Sequence, residues 1–315
     1  MKKNITNYCI VGYGNHAKNK LLPVLLRLNK KVFGIVSSKK KVDTSIKIFK
    51  KLEQAINKAD DKTIFILSSP PEVHFSQIKL LLEYNKNIFV EKPMSIHPQE
   101  VNTIIRDTRD KDIFVAEMLM YKYTKQYKHF VKFWDKKKDK CNKIECFFNI
   151  PKIPSGTFRN SNDITSSCLY DIGCYLISLL IDLKIYPENF KISKIVKKNK
   201  KFLQFIIEAS TQKIDVYLEF GFGNEYVNLV KLNYMKNYIA SFEKFFYGVE
   251  AKKTITLQNT RDLKEITIND INGFEKMFEK SNLYWQKTQK VRFNNLKKVN
   301  NILYSLSESL IYNKS

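Results

Sequence analysis

Residues Tyr8-Cys9-Ile10-Val11 form an apolar run that enters Gly12-Tyr13-Gly14-Asn15-His16-Ala17 and continues into a leucine-rich stretch. This order of strand, G-x-G-x-x-A turn and helix constrains the fold more than any other feature. Gly12 permits the tight turn, Gly14 lets a ligand approach the backbone with no side chain between, and Ala17 is small enough for close packing of helix on strand. The helix that follows offers free N–H donors and the positive end of its dipole, which suit an anion. A turn of this kind seats the pyrophosphate of a dinucleotide, and Asn15 and His16 complete its lining.

The segments that follow alternate strand and helix signals. Strands are expected at Tyr8 to Val11, Lys31 to Val36, Thr63 to Leu67, Asn87 to Val90 and Asp112 to Ala116, which predicts a doubly wound parallel sheet. Its crevice would lie at the carboxyl ends of those strands, where Gly12, Ser37, Ser69, Glu91 and Glu117 fall. After about residue 120 the pattern changes. A helical region over 166–183 precedes strands near 190–196, 202–209, 214–222, 227–234, 241–247 and 254–258, joined only by turns, so this sheet should be large, open and mostly antiparallel. The fold class is thus α/β, a Rossmann domain over 1–120 and an α+β domain over 121–315. The helical tail from Asn272 to Asn313 is a candidate to pack back on the first domain.

With 43% hydrophobic residues in 315, two cores can be filled. The net charge of +24 is almost all lysine spread along the chain, and no zinc, helix-turn-helix or RNA-binding signature accompanies it, so a nucleic-acid partner is not expected. The run Lys136-Lys137-Lys138 reads as a solvated loop or helix end. Cys9, Cys141, Cys146, Cys168 and Cys174 form no C-x-x-C pair and are odd in number, as in a reduced cytoplasmic protein. No stretch approaches the ~20 apolar residues of a membrane span. The four histidines, His16, His74, His97 and His129, lack metal-site spacing, and no metal is expected.

After the second strand the chain reads Ser37-Ser38-Lys39-Lys40. An NAD-preferring site usually places a carboxylate here for the ribose 2′-hydroxyl, and that charge would repel a 2′-phosphate. Hydroxyls and lysines in its place favour NADP(H). Next come Ser69-Pro70-Pro71-Glu72-Val73-His74, then Glu91-Lys92-Pro93, and later Asp171-Ile172-Gly173-Cys174-Tyr175. Together with the glycine turn, these four motifs in this order resemble the glucose-fructose oxidoreductase, inositol dehydrogenase and MocA group (Gfo/Idh/MocA), in the branch that carries tyrosine at the last position.

The resemblance spans nearly the whole chain. It implies that Lys92 and Tyr175 carry the proton chemistry with Asp171 beside them. It further implies that Ser69, Pro70, His74 and Glu91 line the cofactor loop, and that Lys122 and Arg159 are substrate contacts. A phenol with an ordinary pKa near ~10 needs a neighbouring ammonium to work at neutral pH, which Lys92 would supply. Asp171 could orient the phenol, grip a substrate hydroxyl or cap the helix. Thr165-Ser166-Ser167-Cys168 departs from the consecutive glycines of relatives, so no particular substrate transfers. The expected function is hydride transfer between NADP(H) and a carbonyl or secondary alcohol of a sugar or sugar nucleotide. The alternatives are aldose or trans-dihydrodiol oxidation by the same pair, and an NADP-binding sensor without turnover. The family's sheet commonly builds the oligomer interface, which implies a homodimer or homotetramer.

Overall fold

Short β-branched and aromatic runs become the strands of the first unit because each is closed by a turn-forming residue. They are β1 (Asn7–Val11), β2 (Lys31–Val36), β3 (Ile48–Phe49), β4 (Ile64–Leu67), β5 (Asn87–Val90) and β6 (Val115–Glu117). This computed structural model describes residues 7–39, 44–153, 157–161, 164–198 and 201–312. The chain divides into two units, one of Met1–Leu119 with Phe274–Lys297 and one of Met120–Gly273 with Lys298–Ser315. In the first, all strand pairs are parallel and the order is β3-β2-β1-β4-β5-β6. That is the Rossmann order, and it reverses beside β1, which opens the ligand crevice between the carboxyl ends of β1 and β4.

The helices of this unit are α1 (Leu22–Arg27), α2 (Leu52–Ile56), α3 (His74–Glu83) and α4 (Pro98–Thr108). Every residue of β4 is buried, as expected of a parallel strand covered on both faces. The core joins Cys9, Val11, Phe65, Leu67, Ile88 and Val90 to Ile78, Leu81, Val101 and Ile104. The edge strand β6 is closed by side chains from the start of a later helix. Gln289 Oε1 accepts from Val115 N at 2.7 Å, Arg292 Nη1 donates to Val115 O at 3.0 Å, and Gln286 Nε2 donates to Asp112 O at 3.1 Å. An edge whose polar backbone is met in this way cannot recruit a foreign strand there.

The second unit contains α5 (Lys125–Lys137), β7 (Cys141–Ile150), α6 (Cys174–Asp182), β8 (Phe190–Lys198), β9 (Lys201–Ser210), β10 (Asp215–Phe222), β11 (Val227–Tyr234), β12 (Tyr238–Glu243), β13 (Ala251–Gln258) and β14 (Leu263–Asp270). Then come α7 (Gly273–Phe278) and α8 (Asn282–Tyr312). The sheet order is β14-β13-β12-β11-β7-β10-β9-β8. Its pairs are antiparallel except β7 with β10, because β7 inserts between two strands consecutive in sequence. Strict alternation along β11 buries Asn228, Val230, Leu232 and Tyr234 on one face. On that face α5 packs Phe130 against Phe242 and Phe245.

Three sequence expectations shift. The strand expected over 241–247 ends at Glu243, since Lys244 takes φ of 50° and the consecutive Phe245 and Phe246 are both buried, which an alternating strand does not allow. The fifth parallel strand begins at Val115 instead of Asp112. Strands β3, β7 and β14 fall outside the expected set altogether. No helix among the described residues is long and apolar enough to cross a membrane.

Candidate functional site

In the first unit the carboxyl ends of β1, β4 and β5 carry the predicted motifs into one neighbourhood. Gly12 has φ of +88°, and a Cβ built on it would lie 2.6 Å from Ser69 N and 2.8 Å from Ser68 O. Its N–H donates to Val36 O at 2.9 Å, while Ser68 N donates to Val11 O at 2.7 Å, so the turn is locked between β2 and β4. Gly14 differs: a Cβ there would meet nothing within 4 Å. This open cradle stands at the start of the helical run 15–27 and suits a pyrophosphate, which needs close backbone approach and free N–H groups. Ala17 is fully buried, whereas Asn15 and His16 are exposed.

Two histidines tie the loops together. His16 Nε2 lies 2.7 Å from Glu91 Oε1, linking the glycine turn to the end of β5. His74 is fully buried, with Nδ1 2.9 Å from Pro93 O and Nε2 2.9 Å from Ser69 O. Burial lowers the His74 pKa, although both carbonyls favour its second proton. Burial also pushes the Glu91 carboxyl up, yet the charge and hydrogen bond of His16, with Lys92 and His74 behind, outweigh it and hold the group below the usual carboxylate value. Lys92 is half-buried, its bond to Pro93 is cis, and Pro70 is exposed.

At the end of β2, Ser37 is buried and its hydroxyl accepts from Lys39 N at 3.3 Å, with Ser38 and Lys39 exposed. Lys50 Nζ donates to Lys39 O at 2.6 Å, which adds a cation that the sequence did not single out. Lys40 lies outside the described residues.

In the second unit Asp171 is buried within a widened helical turn, Leu169–Gly173, that leads into α6. It therefore sits inside the helical run and not at its cap. Arg159 forms an ion pair with it, Nε to Oδ2 at 2.8 Å, and Nη2 donates to Oδ1 at 3.3 Å. Lys201, also buried, donates to the carbonyls of Arg159 and Ser161. Nothing in the sequence marks Lys201 among so many lysines.

Tyr175 stands among Tyr121, Phe148 and Phe246, with ring centroids at 5.7, 5.6 and 6.0 Å, and its hydroxyl is 3.6 Å from Met120 Sδ. Gly248 and Gly273 leave the room that Met120 fills. Lys122 is not gathered with Arg159 and Asp171. It pairs with Asp182 at 2.7 Å, where Tyr127 OH also donates at 2.7 Å, so the helix end of α6 holds it. No group of three or more metal-ligating side chains occurs among the described residues.

Residues 6–117 match the oxidoreductase family with an NAD-binding Rossmann fold, Gfo/Idh/MocA. The chain is a member of that family. As a Gfo/Idh/MocA protein it is an NAD(P)-dependent oxidoreductase. No curated protein sequence matches it. Among solved structures, KijD10, a 3-ketoreductase from Actinomadura kijaniata in complex with NADP and TDP-benzene, aligns with a TM-score of 0.82 at 15% identity, over 97% of each chain. A dehydrogenase from Chromobacterium violaceum aligns with a TM-score of 0.75 at 14% identity, over 97% of this chain and 95% of that one. At such identities the likeness establishes the fold.

Proposed function

We propose that this oxidoreductase transfers a hydride between NADP(H) and a carbonyl or secondary alcohol of a sugar, in its sharpest form a nucleotide-linked ketosugar, and that it assembles as a dimer or tetramer through its second sheet. The observation that carries the reading is the meeting of the open Gly14 cradle, the Ser69 loop and Glu91-Lys92-Pro93 in an NAD-binding family domain. NADP(H) over NAD(H) is supported by Ser37, Ser38 and Lys39 where a carboxylate would stand, with Lys50 bonded to the same segment. The sugar nucleotide is supported by KijD10, a 3-ketoreductase seen with NADP and TDP-benzene.

When bound, NADP(H) supplies the hydride. Tyr175 donates the proton to the developing alkoxide in the reducing direction, and Lys92 stabilises the negative charge and favours the phenolate form of its partner. Asp171, neutralised by Arg159, orients substrate hydroxyls. The test is Tyr175→Phe, which removes one oxygen and keeps the ring. Folding and NADPH binding should survive while turnover falls by roughly 10² to 10⁴. Lys92→Met should do likewise, and the double variant should be scarcely worse than the poorer single one if the two act as a unit. A Tyr175→Phe enzyme with undiminished kcat on the identified sugar would remove the assignment.

A further inference from the structure

His16 and Glu91 fix each other's chemistry. An ionised carboxylate only accepts hydrogen bonds, and Glu91 is held in that form. At 2.7 Å, the His16 Nε2 that faces it must therefore carry the hydrogen. A neutral imidazole has only one N–H, so its other nitrogen, Nδ1, is then a lone pair. His16 belongs to the same turn as Gly14, at the start of the helical run 15–27. A pyrophosphate oxygen brought against a lone pair is repelled. Brought against an N–H of an imidazolium, it gains a charge-assisted hydrogen bond.

We infer that His16 takes up a proton when the pyrophosphate of the cofactor binds, and that Glu91 is the positioning residue that enforces this by keeping Nε2 a donor. The inference rests on the reading of this turn as the pyrophosphate seat. It makes cofactor binding proton-linked, so affinity falls as pH rises above the histidine range.

The charged surroundings of His16 are few. Glu91 and Lys92 face it from the end of β5, and His74 lies behind Glu91. From α7 the Phe274 ring meets the imidazole edge-on at 5.6 Å, and the neighbouring Glu275 is taken by Arg27 at 2.7 Å. Lys18 and Lys20 follow on its own helix. Carboxylates and ammonium groups keep their charge between about pH 6.5 and 8.5, and His74, its pKa lowered by burial, stays neutral there. His16 is left as the group able to change its proton count.

Titration calorimetry of the full chain with NADPH and with NADH at pH 8, in two buffers of different ionisation enthalpy, counts the protons taken up. NADH is essential because it lacks the 2′-phosphate, which titrates near pH 6 in its own right. The expected result is the same net uptake with both nucleotides, and none in His16→Gln. Glu91→Gln should also lose it, because a carboxamide can donate to Nε2 and leave Nδ1 protonated in a neutral ring. Wild-type Kd should rise with pH by up to tenfold per unit, and both variants should flatten that slope. Nucleotide binding by the wild type without proton uptake, or an equal count in Glu91→Gln, overturns the inference and leaves the proposed activity standing. A wild-type protein that binds neither nucleotide at any pH removes the seat and the activity together.

Discussion

Gly12 and Gly14 stand two residues apart in one turn, and the structure gives the same substitution opposite consequences at the two positions. Gly12→Ala places a side chain at φ of +88° and a Cβ 2.6 Å from Ser69 N and 2.8 Å from Ser68 O. The left-handed conformation costs an L-residue roughly 1–2 kcal/mol. Backbone cannot swing aside as a side-chain tip can, so the overlap adds about 1–3 kcal/mol, as overpacking does in a core. The sum, about 2–5 kcal/mol, is a large part of the 5–15 kcal/mol that holds a typical domain folded, and corresponds to a fall in Tm of roughly 4–20 °C for a unit of this size. Gly14→Ala meets nothing within 4 Å and carries no positive φ, so its Tm should hold or rise slightly. Its methyl group occupies the cradle instead. Loss of one charge-assisted bond of roughly 1.5–3 kcal/mol there weakens NADPH binding about ten- to a hundredfold. Thermal unfolding and NADPH fluorescence titration on both variants separate the two roles. A Gly14→Ala protein that unfolds early, or a Gly12→Ala protein as stable as wild type, would refute the reasoning.

Three further outcomes follow from the same unit. Ser37→Asp should cost NADPH about ten- to a hundredfold in affinity and improve NADH relative to it; equal losses for both in a calorimetric titration would place the 2′-phosphate elsewhere. The lowered His74 pKa means that the unfolded chain binds this proton first, so stability is full above about pH 6.5 and declines as pH falls toward the lowered value. His74→Gln should weaken the fold at pH 7.5 yet flatten that decline in a series of melts, and an unchanged slope would count against it. Replacing Gln289 and Arg292 together by alanine should free the Val115 backbone, at a cost of roughly 1–3 kcal/mol, and speed exchange of the Val115 amide, which hydrogen-exchange mass spectrometry reads directly.

The contrast between the two halves of the chain shows which physical signals a sequence carries. The parallel sheet was legible because each of β1, β2, β4 and β5 is an apolar run closed by its own turn, and sequential crossovers leave little choice of neighbour. Strand β3 escaped because its two residues have no period to detect. In the second sheet β8 to β11 were visible from alternation, but β7 was not, and it occupies the middle of the sheet between β10 and β11. Its one parallel pair joins residues some seventy positions apart, a pairing that no local pattern specifies. Register slips such as that of β12 have the same origin, since Phe245 and Phe246 are apolar enough to extend a strand in sequence while Lys244 ends it in space.

Site residues divide along a similar line. A turn that needs glycine announces itself, because φ of +88° and close backbone contact are demands on one residue type. A charged residue is defined by its partner, and partners are non-local. Lys122 looked like a substrate contact by its place after an aromatic, yet Asp182 and Tyr127 hold it at the end of α6. Arg159 and Asp171 were each proposed separately, and their ion pair changes what each can do: a guanidinium already committed to a carboxylate cannot also bind an anionic substrate without breaking that pair. His16 shows the reverse case. In sequence it is one of two unspecified residues between Gly14 and Ala17, and only the approach of Glu91, 75 residues away, makes it the donor-locked imidazole whose proton count should follow the cofactor.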